Sequence, residues 1–280
     1  MSDQPPLIVR PLESRADGAA CVDLQREIWG HDFVDVVPAT LLTVSQRVGG
    51  VAAGAFDTVG HLIGFVFGIT GVRDGELVHW SHMLAVHPNA RRQGVGRRLK
   101  AYQRKLLLER NVEVAYWSFD PLRAGNANFN LNVLGARPTE YVVDMYGDTK
   151  SVLHGGLETD RLVVEWTLSS TDAKTQLGGG RPQLPHEAHS APISNPLPLG
   201  SAAPDRPHGP FPDDQWVRVA IPADIDRMKS TTPDVARRCQ IGVRRAFEWY
   251  FERSYAVVGF QADRHPDAPW YALTTQVTQT

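Results

Sequence analysis

The chain has 280 residues, of which 42% are hydrophobic and 21% are charged, and its formal net charge at pH 7 is −2. This is the composition of an ordinary globular protein with enough apolar residues to bury a sizeable core. The near-neutral charge argues against a general nucleic-acid binder and against a binder of membrane surfaces, since both need a strong excess of basic residues.

The N-terminus, the hydropathy pattern and the cysteines bear on where the protein works. Met1–Val9 has no basic stretch followed by an apolar one, so we expect no signal peptide. No apolar run approaches the roughly 18–20 residues that a membrane helix needs. Cys21 and Cys239 lie far apart and lack the spacing of a zinc site, which favours two buried, reduced thiols. We therefore expect a cytoplasmic protein.

Residues 1–168 show the pattern of a domain that mixes strands and helices. Apolar runs predict strands at Leu7–Leu12, Val51–Phe56, His61–Thr70, Leu77–Val86, Val112–Phe119, Val142–Tyr146 and Leu162–Leu168. Apolar residues at helical spacing predict helices at Ser14–Trp29, Pro38–Val48, from Arg91–Gly96 onward, and at Asn126–Leu134. The last of these helices is expected to end at Gly135.

A change of composition follows this domain. Ser169–Pro210 is dense in Pro, Gly, Ser and Ala and shows no periodicity, so we interpret residues 169–212 as a flexible linker or a long surface excursion. Residues 213–280 are interpreted as a small αβ unit. Its predicted elements are the strands Trp216–Ile221, Tyr255–Phe260 and Trp270–Leu273 and a helix that begins at Pro233.

The most informative segment centres on the turn Arg91-Arg92-Gln93-Gly94-Val95-Gly96-Arg97. The first turn of a helix has unpaired N–H groups at the positive end of the helix dipole, and glycines let a phosphate approach the backbone closely. Arg98 and Lys100 add basic charge. A dinucleotide fingerprint fails because residue 99 is Leu, and a Walker-type loop fails because Arg97-Arg98 stand where Lys-Ser/Thr is needed. A solvated basic helix start without a ligand is the alternative.

The residues around this turn resemble the signature of the GNAT superfamily of N-acyltransferases. The strand end Leu84-Ala85-Val86-His87-Pro88 precedes the turn, and a short helix closed by Gly135-Ala136 follows it in the family's order. The resemblance covers roughly residues 7–168 and is specific over residues 81–135. The strings Ser-His-Met-Leu-Ala-Val (81–86) and Ser-Phe-Asp-Pro-Leu (118–122) resemble a branch that has an extra C-terminal unit, some members of which are linked to N-succinylation of amino acids.

The resemblance implies an α/β (α+β) fold with a mixed, mostly antiparallel central sheet that is flanked by helices. Its fourth and fifth strands would splay apart and hold the pantetheine arm of an acyl-CoA between them, while the helix start would hold the diphosphate. Contacts to the acyl-CoA are then expected from Leu84, Ala85, Val86, Arg91, Arg92, Gln93, Gly94, Val95, Gly96, Arg97, Asn126, Asn128 and Asn130.

The asparagines in this set form a polar cluster near one helix start, which is unusual because Asn is a poor residue for a helix interior. We interpret Asn126 as the helix cap, and Asn128 or Asn130 as contacts to the pantetheine amides or the substrate. Capping and solvation alone are the alternative.

A base is expected because an amine must be neutral to attack a thioester. Family members often place Glu, or a polar residue that acts through water, at the position of His82, four residues before Val86. His82 titrates near neutral pH and is predicted to share a strand face with Leu84 and Val86. It is the first candidate base, with a purely structural histidine as the alternative. Glu76, at the strand start, is the second candidate.

The general acid departs from the family pattern. Many relatives have a tyrosine four residues before the closing glycine, and this chain has Leu131 there. Tyr141 and Tyr146 are the alternative donors, of which Tyr146 is the candidate that we carry forward. A metal is not expected, because His79 and His82 on one strand face opposite sides.

The sequence therefore predicts an N-acyltransferase that transfers an acyl group, acetyl by default or succinyl, from acyl-CoA to the primary amine of a small molecule or amino acid. An arginine near the acyl end would favour a carboxylated acyl group, and Arg123 and Arg137 are candidates. The alternative is a non-catalytic acyl-CoA-binding or regulatory module. We expect no nucleic-acid or membrane partner, and the sequence allows a homodimer.

Overall fold

The computed structural model describes residues 7–148, 150–195, 197, 210–262 and 268–276, and the chain divides into two compact units. Unit 1 contains residues 1–117, 149–152 and 166–177, and unit 2 contains residues 118–148, 153–165 and 178–280. Within the described ranges, no helix is both long and apolar enough to cross a lipid bilayer.

Strands and helices alternate along most of the chain. The strands are β1 (Ile8–Pro11), β2 (Val51–Phe56), β3 (Leu62–Arg73), β4 (Glu76–Val86), β5 (Val114–Phe119), β6 (Arg137–Val142), β7 (Arg161–Thr167), β8 (Trp216–Ala220), β9 (Ala256–Gln261) and β10 (Trp270–Thr274). The helices are α1 (Arg15–Trp29), α2 (Ala39–Arg47), α3 (Val95–Leu108), α4 (Ala124–Ala127), α5 (Thr171–Leu177), α6 (His186–Ser190), α7 (Ile225–Thr231) and α8 (Pro233–Glu252). A 3-10 turn covers Pro88–Ala90, and a π-helical turn covers Asn128–Val133.

The predicted fold class is confirmed: the protein is a mixed α/β structure with a large, mostly antiparallel sheet. In unit 1, β1 to β4 pair in chain order and antiparallel. β5 runs parallel to β4, and their register covers only Val78–Trp80 against Val114–Tyr116. The part of β4 from residue 81 to residue 86 therefore extends beyond this pairing.

The sheet of unit 1 has helices on both faces. On one face, Phe65, Phe67 and Met83 pack with buried apolar residues of α1 and α2. On the other face, α3 lies close to Gly64, where a Cβ would come within 2.9 Å of the Ala85 carbonyl oxygen and 3.2 Å of the Val95 side chain. Glycine at residue 64 therefore lets α3 approach the sheet closely.

A β-bulge interrupts the pairing of β3 with β4. Phe67 pairs with Met83 and Ile69 pairs with Trp80, so that two residues of β4, residues 81 and 82, oppose Gly68 alone. A Cβ at Gly68 would lie 2.2 Å from His79 Nε2 and 2.6 Å from the Trp80 carbonyl oxygen. The bulge thus needs glycine on the facing strand, and it reverses the alternation of side chains along β4.

Unit 2 contains the antiparallel pair β6–β7 and a separate antiparallel sheet in the order β8-β10-β9. The long helix α8 was predicted to be buried on more than one side because its aromatic residues exceed one face. Phe247 and Tyr250 are fully buried, and Phe247 stacks on Tyr141 with ring centroids 5.5 Å apart. The aromatic residues of α8 therefore belong to the core of this unit.

The described part of the predicted linker differs from a featureless spacer. It contains α5 and α6, and Ile193 forms a bridge with Arg218. The Asn195 side chain pairs with both the N–H and the carbonyl oxygen of Ala220, at 2.8 and 2.9 Å. Small buried residues and one amide side chain give the segment its contacts, and neither leaves a periodic signal in the sequence.

Other element boundaries differ locally from the predictions. The strand predicted at Val142–Tyr146 lies earlier, at β6, because its chain turns from residue 143 onward. The helix predicted at Asn126–Leu134 is split into α4 and the π-helical turn, and Arg123 is the N-cap of α4. The interpretation of Asn126 as the cap is therefore wrong.

Candidate functional site

The start of α3 exposes backbone N–H groups, as the sequence predicts. The helix begins at Val95, later than the Arg91 predicted for its start, and Gly94 precedes it in the left-handed conformation with φ +76°. The first intrahelical bond runs from the Arg98 N–H to the Gly94 carbonyl oxygen at 3.0 Å. The N–H groups of residues 95 to 97 precede this bond and have no intrahelical acceptor, which is the arrangement that binds anions at helix starts.

The side chains of this turn add positive charge at its surface. Arg91, Arg92 and Arg97 are exposed, whereas the Arg98 guanidinium donates to the Leu7 carbonyl oxygen. Arg91 Nε also donates to the Val86 carbonyl oxygen at 3.3 Å, which links the turn to the end of β4. Exposed guanidinium groups around amides without intrahelical acceptors suit a ligand with several phosphates.

A cavity of about 220 Å³ lies beside the turn, within unit 1. Its lining includes Asp57 from the β2–β3 connection and Ile63 from β3, together with Gln93 and Val95. The Gln93 side chain donates to the Asn89 carbonyl oxygen at 2.9 Å and so closes the turn on itself. Space is therefore open next to the helix start.

The end of β4 has backbone groups that β3 does not use. The His87 N–H donates to the Ile63 carbonyl oxygen at 2.9 Å, which makes residues 63 and 87 a hydrogen-bonded pair. Hydrogen-bonded pairs alternate along an antiparallel ladder, so Ala85 bonds to β3 while the N–H and carbonyl groups of Leu84 and Val86 point away from it. These groups point from β4 towards the side on which β5 pairs. Of the three predicted backbone contacts, Leu84 thus offers both polar groups, Val86 offers its N–H while its carbonyl oxygen accepts from Arg91, and Ala85 offers neither.

The β-bulge places His82 on a different face from the one predicted. Its ring contacts Phe67, with centroids 6.1 Å apart, and Phe67 belongs to the core beneath α1 and α2. His82 therefore does not share a face with Leu84 and Val86, because the regular alternation assumed for β4 is broken. His82 has solvent-accessible surface, but the protein atoms around its ring partly desolvate it. This desolvation lowers the pKa of His82 from the usual 6.5, and the Asp35 carboxylate opposes the shift. A histidine of this kind is neutral at pH 7 and can accept a proton.

Comparison with known proteins bears on this part of the chain. Residues 21–129 match the model of the acetyltransferase (GNAT) family. The matched segment contains β4, the turn from Arg91 to Gly94, and α3, which are the elements that carry the amides without intrahelical acceptors and the backbone of Leu84 that β3 does not use. No curated protein matches the chain.

Several solved structures are similar to the chain at low identity. The ribosomal-protein-S18-alanine N-acetyltransferase from Escherichia coli is 18% identical, with 59% of this chain and 96% of that chain covered and a TM-score of 0.45. Aminoglycoside 6'-acetyltransferase type Ii is 20% identical, covers 58% and 98% of the two chains, and has a TM-score of 0.46. An aminoglycoside 6'-N-acetyltransferase complexed with coenzyme A is 17% identical, covers 58% and 98%, and has a TM-score of 0.44. Because these identities and TM-scores are low, the function of this protein is argued from its own residues.

A buried polar network underlies the GNAT segment, and sequence reasoning missed it. Lys100 Nζ donates to Ser81 Oγ at 3.1 Å and to Gln103 Oε1 at 2.8 Å, and Gln103 Nε2 lies 3.0 Å from His79 Nε2. His79 continues the chain to Thr70 Oγ1 at 3.0 Å. The network joins α3, the bulge of β4 and β3 through side chains, so it holds the bulged strand in place.

The charge of Lys100 differs from the sequence prediction. Lys100 was counted among the basic groups around the turn, but it is 2% exposed and burial lowers its pKa well below the usual value. The Trp117 ring, 3.6 Å from Nζ, attracts an ammonium group and opposes this shift, but among the described residues no carboxylate pairs with Lys100. Burial also lowers the pKa of His79 to about 3, with the charges of Lys100 and Arg110 as smaller causes. Burial therefore favours the neutral forms of both Lys100 and His79.

Replacing Lys100 with methionine is expected to stabilise the protein. Gln103 Oε1 also accepts from Ser81 Oγ at 3.1 Å, so the change leaves no buried acceptor of this pair unpaired. The free energy of unfolding at pH 7 should rise by about 1–3 kcal/mol, as when a buried ionisable group gives way to an apolar one. Urea unfolding of Lys100→Met measures it, with the exposed Lys105→Met as the control that should change by less than about 0.5 kcal/mol.

The pH dependence of the free energy of unfolding is a second measurement that tests the effect of Lys100→Met. The pKa of Lys100 is lowered in the folded state, so between that lowered pKa and the usual lysine pKa of about 10.4 the unfolded chain binds more protons than the folded chain. This contribution makes the wild-type stability rise as the pH rises towards that value. Lys100→Met should lose this rise. A variant that is less stable and keeps the wild-type slope would show that Lys100 is charged in the folded protein.

The other candidate base, Glu76, and the candidate acids, Tyr141 and Tyr146, differ in their exposure to solvent and in their hydrogen bonds. Glu76 is exposed at the start of β4, where it pairs in register with Arg73. In unit 2, Tyr141 donates to Asp160 Oδ2 at 2.7 Å, and burial raises its pKa well above 10. Tyr146 is 38% exposed, and its hydroxyl lies 2.8 Å from Ser118 Oγ. Tyr146 is therefore accessible as a proton donor and Tyr141 is not, while Leu131 is buried and apolar.

The predicted asparagine cluster is partly used for structure. Asn132 Nδ2 donates to Asn128 Oδ1 at 3.0 Å and to the Phe260 carbonyl oxygen at 2.8 Å. Asn130 is buried, at 5% exposure, and Asn126 is exposed within α4. In unit 2 the cluster therefore ties the π-helical turn to β9, and Asn126 has the most accessible side chain of the three predicted contacts.

The two arginines considered for a carboxylated acyl group are not free. Arg123 pairs with Asp226 at 2.7 Å and with Asp120 at 3.5 Å, and it donates to the Leu153 carbonyl oxygen. Arg137 lies on β6 and has an interaction partner. In the described ranges, no group of three or more His, Cys, Asp and Glu side chains is arranged to hold a metal ion.

Proposed function

We propose that the protein is an acyl-CoA-dependent N-acyltransferase whose acceptor is the primary amine of a small molecule or amino acid. The observation that carries the proposal is the start of α3, where free amides follow a left-handed Gly94 and exposed arginines surround them. The match of residues 21–129 to the acetyltransferase family supports the same reading. The backbone groups of Leu84 and the N–H of Val86, which β3 does not use, would extend the site along β4 by pairing with the amides of a pantetheine arm.

The proposed reaction is a direct attack. The amine nitrogen forms a bond to the thioester carbon, the carbon–sulfur bond breaks, and the sulfur leaves as a thiolate. His82 accepts the proton that the amine loses, and the thiolate takes a proton from water or from a side chain, for which the sequence offers Tyr146 as the candidate. Holding both substrates in one site makes the attack effectively unimolecular. Glu76 is the second candidate base, and it is the weaker one because it is fully solvated at the strand start.

A thiol-release assay tests this proposal. The protein is incubated with acetyl-CoA or succinyl-CoA and with single amino acids or simple primary amines, and free CoA thiol is measured against reactions without acceptor. At least one acceptor should produce thiol in proportion to N-acylated product. Tight CoA binding with no thiol from any acceptor would contradict the enzyme and favour the second candidate.

The second candidate is a non-catalytic acyl-CoA-binding or regulatory module. One observation favours it: Leu131 is buried and apolar at the position where many GNAT enzymes have the tyrosine that protonates the thiolate. The two candidates differ at Tyr146. In an enzyme, Tyr146→Phe should lower kcat by about 100-fold, in the range for general acid catalysis, without changing CoA affinity.

A further inference from the structure

Unit 2 contains a half-buried arginine that forms no ion pair among the described residues. Arg161 begins β7, is half-buried, and donates to the carbonyl oxygen of Asp160 at 2.8 Å. Its guanidinium centre lies 5.4 Å from the centroid of the Tyr146 ring. Among the described residues it forms no ion pair with a carboxylate. Burial lowers the pKa of Arg161, so its charge is partly desolvated, and a guanidinium in that state without an ion pair is suited to an anionic ligand.

The neighbouring carboxylates are committed to other partners. Asp160 accepts from Arg244 at 2.8 Å through both of its oxygens, and also from Tyr141. Asp120 lies 3.5 Å from Arg123 and accepts from the Leu122 N–H. The charges of Asp120 and Asp160 raise the pKa of Arg161 against the effect of burial, but both carboxylates are bonded to other side chains and neither forms an ion pair with Arg161.

The ring that Arg161 contacts carries a hydroxyl group, which is paired with a second one. Tyr146 and Ser118 share a hydrogen bond of 2.8 Å, in which either oxygen is the donor, so one hydroxyl hydrogen of the pair stays free for a ligand. Tyr146 is partly exposed, which gives a ligand access from solvent. A guanidinium fork with adjacent hydroxyl donors matches the planar, acceptor-only carboxylate group.

We propose that Arg161, Tyr146 and Ser118 form a carboxylate-binding site for a substrate of this protein. The inference rests on the proposed N-acyltransferase function and names its substrate class: either the acceptor is an amino acid recognised by its carboxylate, or the acyl group carries a terminal carboxylate. Both sources present the same chemistry to Arg161, and the experiment separates them.

The electrostatic surroundings agree with this assignment and provide a spectroscopic probe. Burial, and then the charge of Arg161, lower the pKa of His154 to about 4, with Lys229 and Arg123 as smaller causes. A bound carboxylate would offset the Arg161 charge. The pKa of His154 should therefore rise when the site is filled.

The first arm measures binding without any reaction. Succinate is titrated into the full-length protein, with succinamide as the uncharged counterpart, and the His154 ring signals are followed by NMR. The wild type should bind succinate and show a raised His154 pKa, and succinamide should bind at least about 10-fold more weakly. Arg161→Gln should lose the difference, whereas Arg227→Gln, an exposed arginine of α7, should keep it. Equal succinate binding by wild type and Arg161→Gln would overturn the proposal.

The second arm identifies the source of the carboxylate. The ratio of kcat/KM is measured for an α-amino acid against the amine that lacks its carboxyl group, and for succinyl-CoA against acetyl-CoA. One of the two ratios should favour the carboxylate by about 10- to 100-fold and fall towards 1 in Arg161→Gln. If the protein turns over these substrates and neither kcat/KM ratio favours the carboxylate, the carboxylate site is overturned while the proposed N-acyltransferase function stands. Absence of turnover with every pair contradicts the proposed function, and the binding arm then decides the site by itself.

A conservative variant covers the case in which Arg161→Gln does not fold, as judged by circular dichroism. Arg161→Lys keeps the charge but loses the planar fork, so its carboxylate preference should fall by about 10-fold rather than vanish. An unchanged preference and an unchanged His154 pKa response in this variant would also count against the site.

Discussion

Replacing Gly94 with aspartate is expected to reduce the affinity for coenzyme A by at least about 100-fold. Residue 94 directly precedes α3, so the new carboxylate can accept from the free N–H groups of the first helical turn. It would occupy the place of the diphosphate and repel it. The loss of two charge-assisted hydrogen bonds, at about 1.5–3 kcal/mol each, gives at least this factor. Isothermal titration calorimetry with CoA measures it.

A matched control separates this effect from backbone strain. Gly75 has a similar left-handed φ of +85°, and a Cβ there would meet nothing within 4 Å. Gly75→Asp therefore carries the same strain and the same added charge, away from α3, and should bind CoA like the wild type. Equal affinity of Gly94→Asp and Gly75→Asp for CoA would remove the diphosphate from the start of α3.

Removing His82 is expected to lower kcat by at least about 100-fold at pH 7, the usual contribution of a general base, and to leave CoA affinity unchanged. A base acts only when deprotonated, so the wild-type rate should fall as the pH falls through the His82 pKa. Because partial burial lowers that pKa, the fall should lie below pH 6.5. The deficit of His82→Ala should shrink as the pH nears the amine's own pKa, about 8 for an α-amine and about 10.4 for a lysine-like amine.

The measurement is a pH–rate profile for wild type, His82→Ala and His31→Ala. His31 is an exposed histidine just after α1, and its removal should change neither the rate nor the profile. If His82→Ala keeps the wild-type rate and the acid limb of the profile, His82 is a structural residue and Glu76 becomes the base to test.

Much of the GNAT segment follows from local sequence rules. Gly94 and Gly96 with flanking arginines predict an anion-binding helix start, because only the residue types and their order matter there. The strand before the turn and the helix after it follow from apolar runs and from one apolar stripe along α3. These features are local in the chain, and the structure has them where they were predicted to within a few residues.

The remaining site features depend on contacts between distant residues. The bulge at Ser81 and His82 exists because Gly68, on another strand, lets His79 and Trp80 approach, and no periodicity within β4 records it. Lys100 looks like a surface lysine in the sequence, since lysines are almost never fully buried. The sequence likewise does not show that Arg161 forms no ion pair, because this depends on Asp120 and Asp160 bonding to other side chains in the fold.

The description of α3 as a diphosphate site can be tested directly by NMR with isotope-labelled protein. Adding CoA should shift the amide signals of Gln93, Gly94, Val95, Gly96 and Arg97, and pantetheine, which has no phosphate, should leave them nearly unchanged. Gly94→Asp should abolish the CoA-dependent shifts. If CoA binds and these amides do not respond, while signals elsewhere in the chain do, the ligand's diphosphate lies at another place and the proposed function loses its main support.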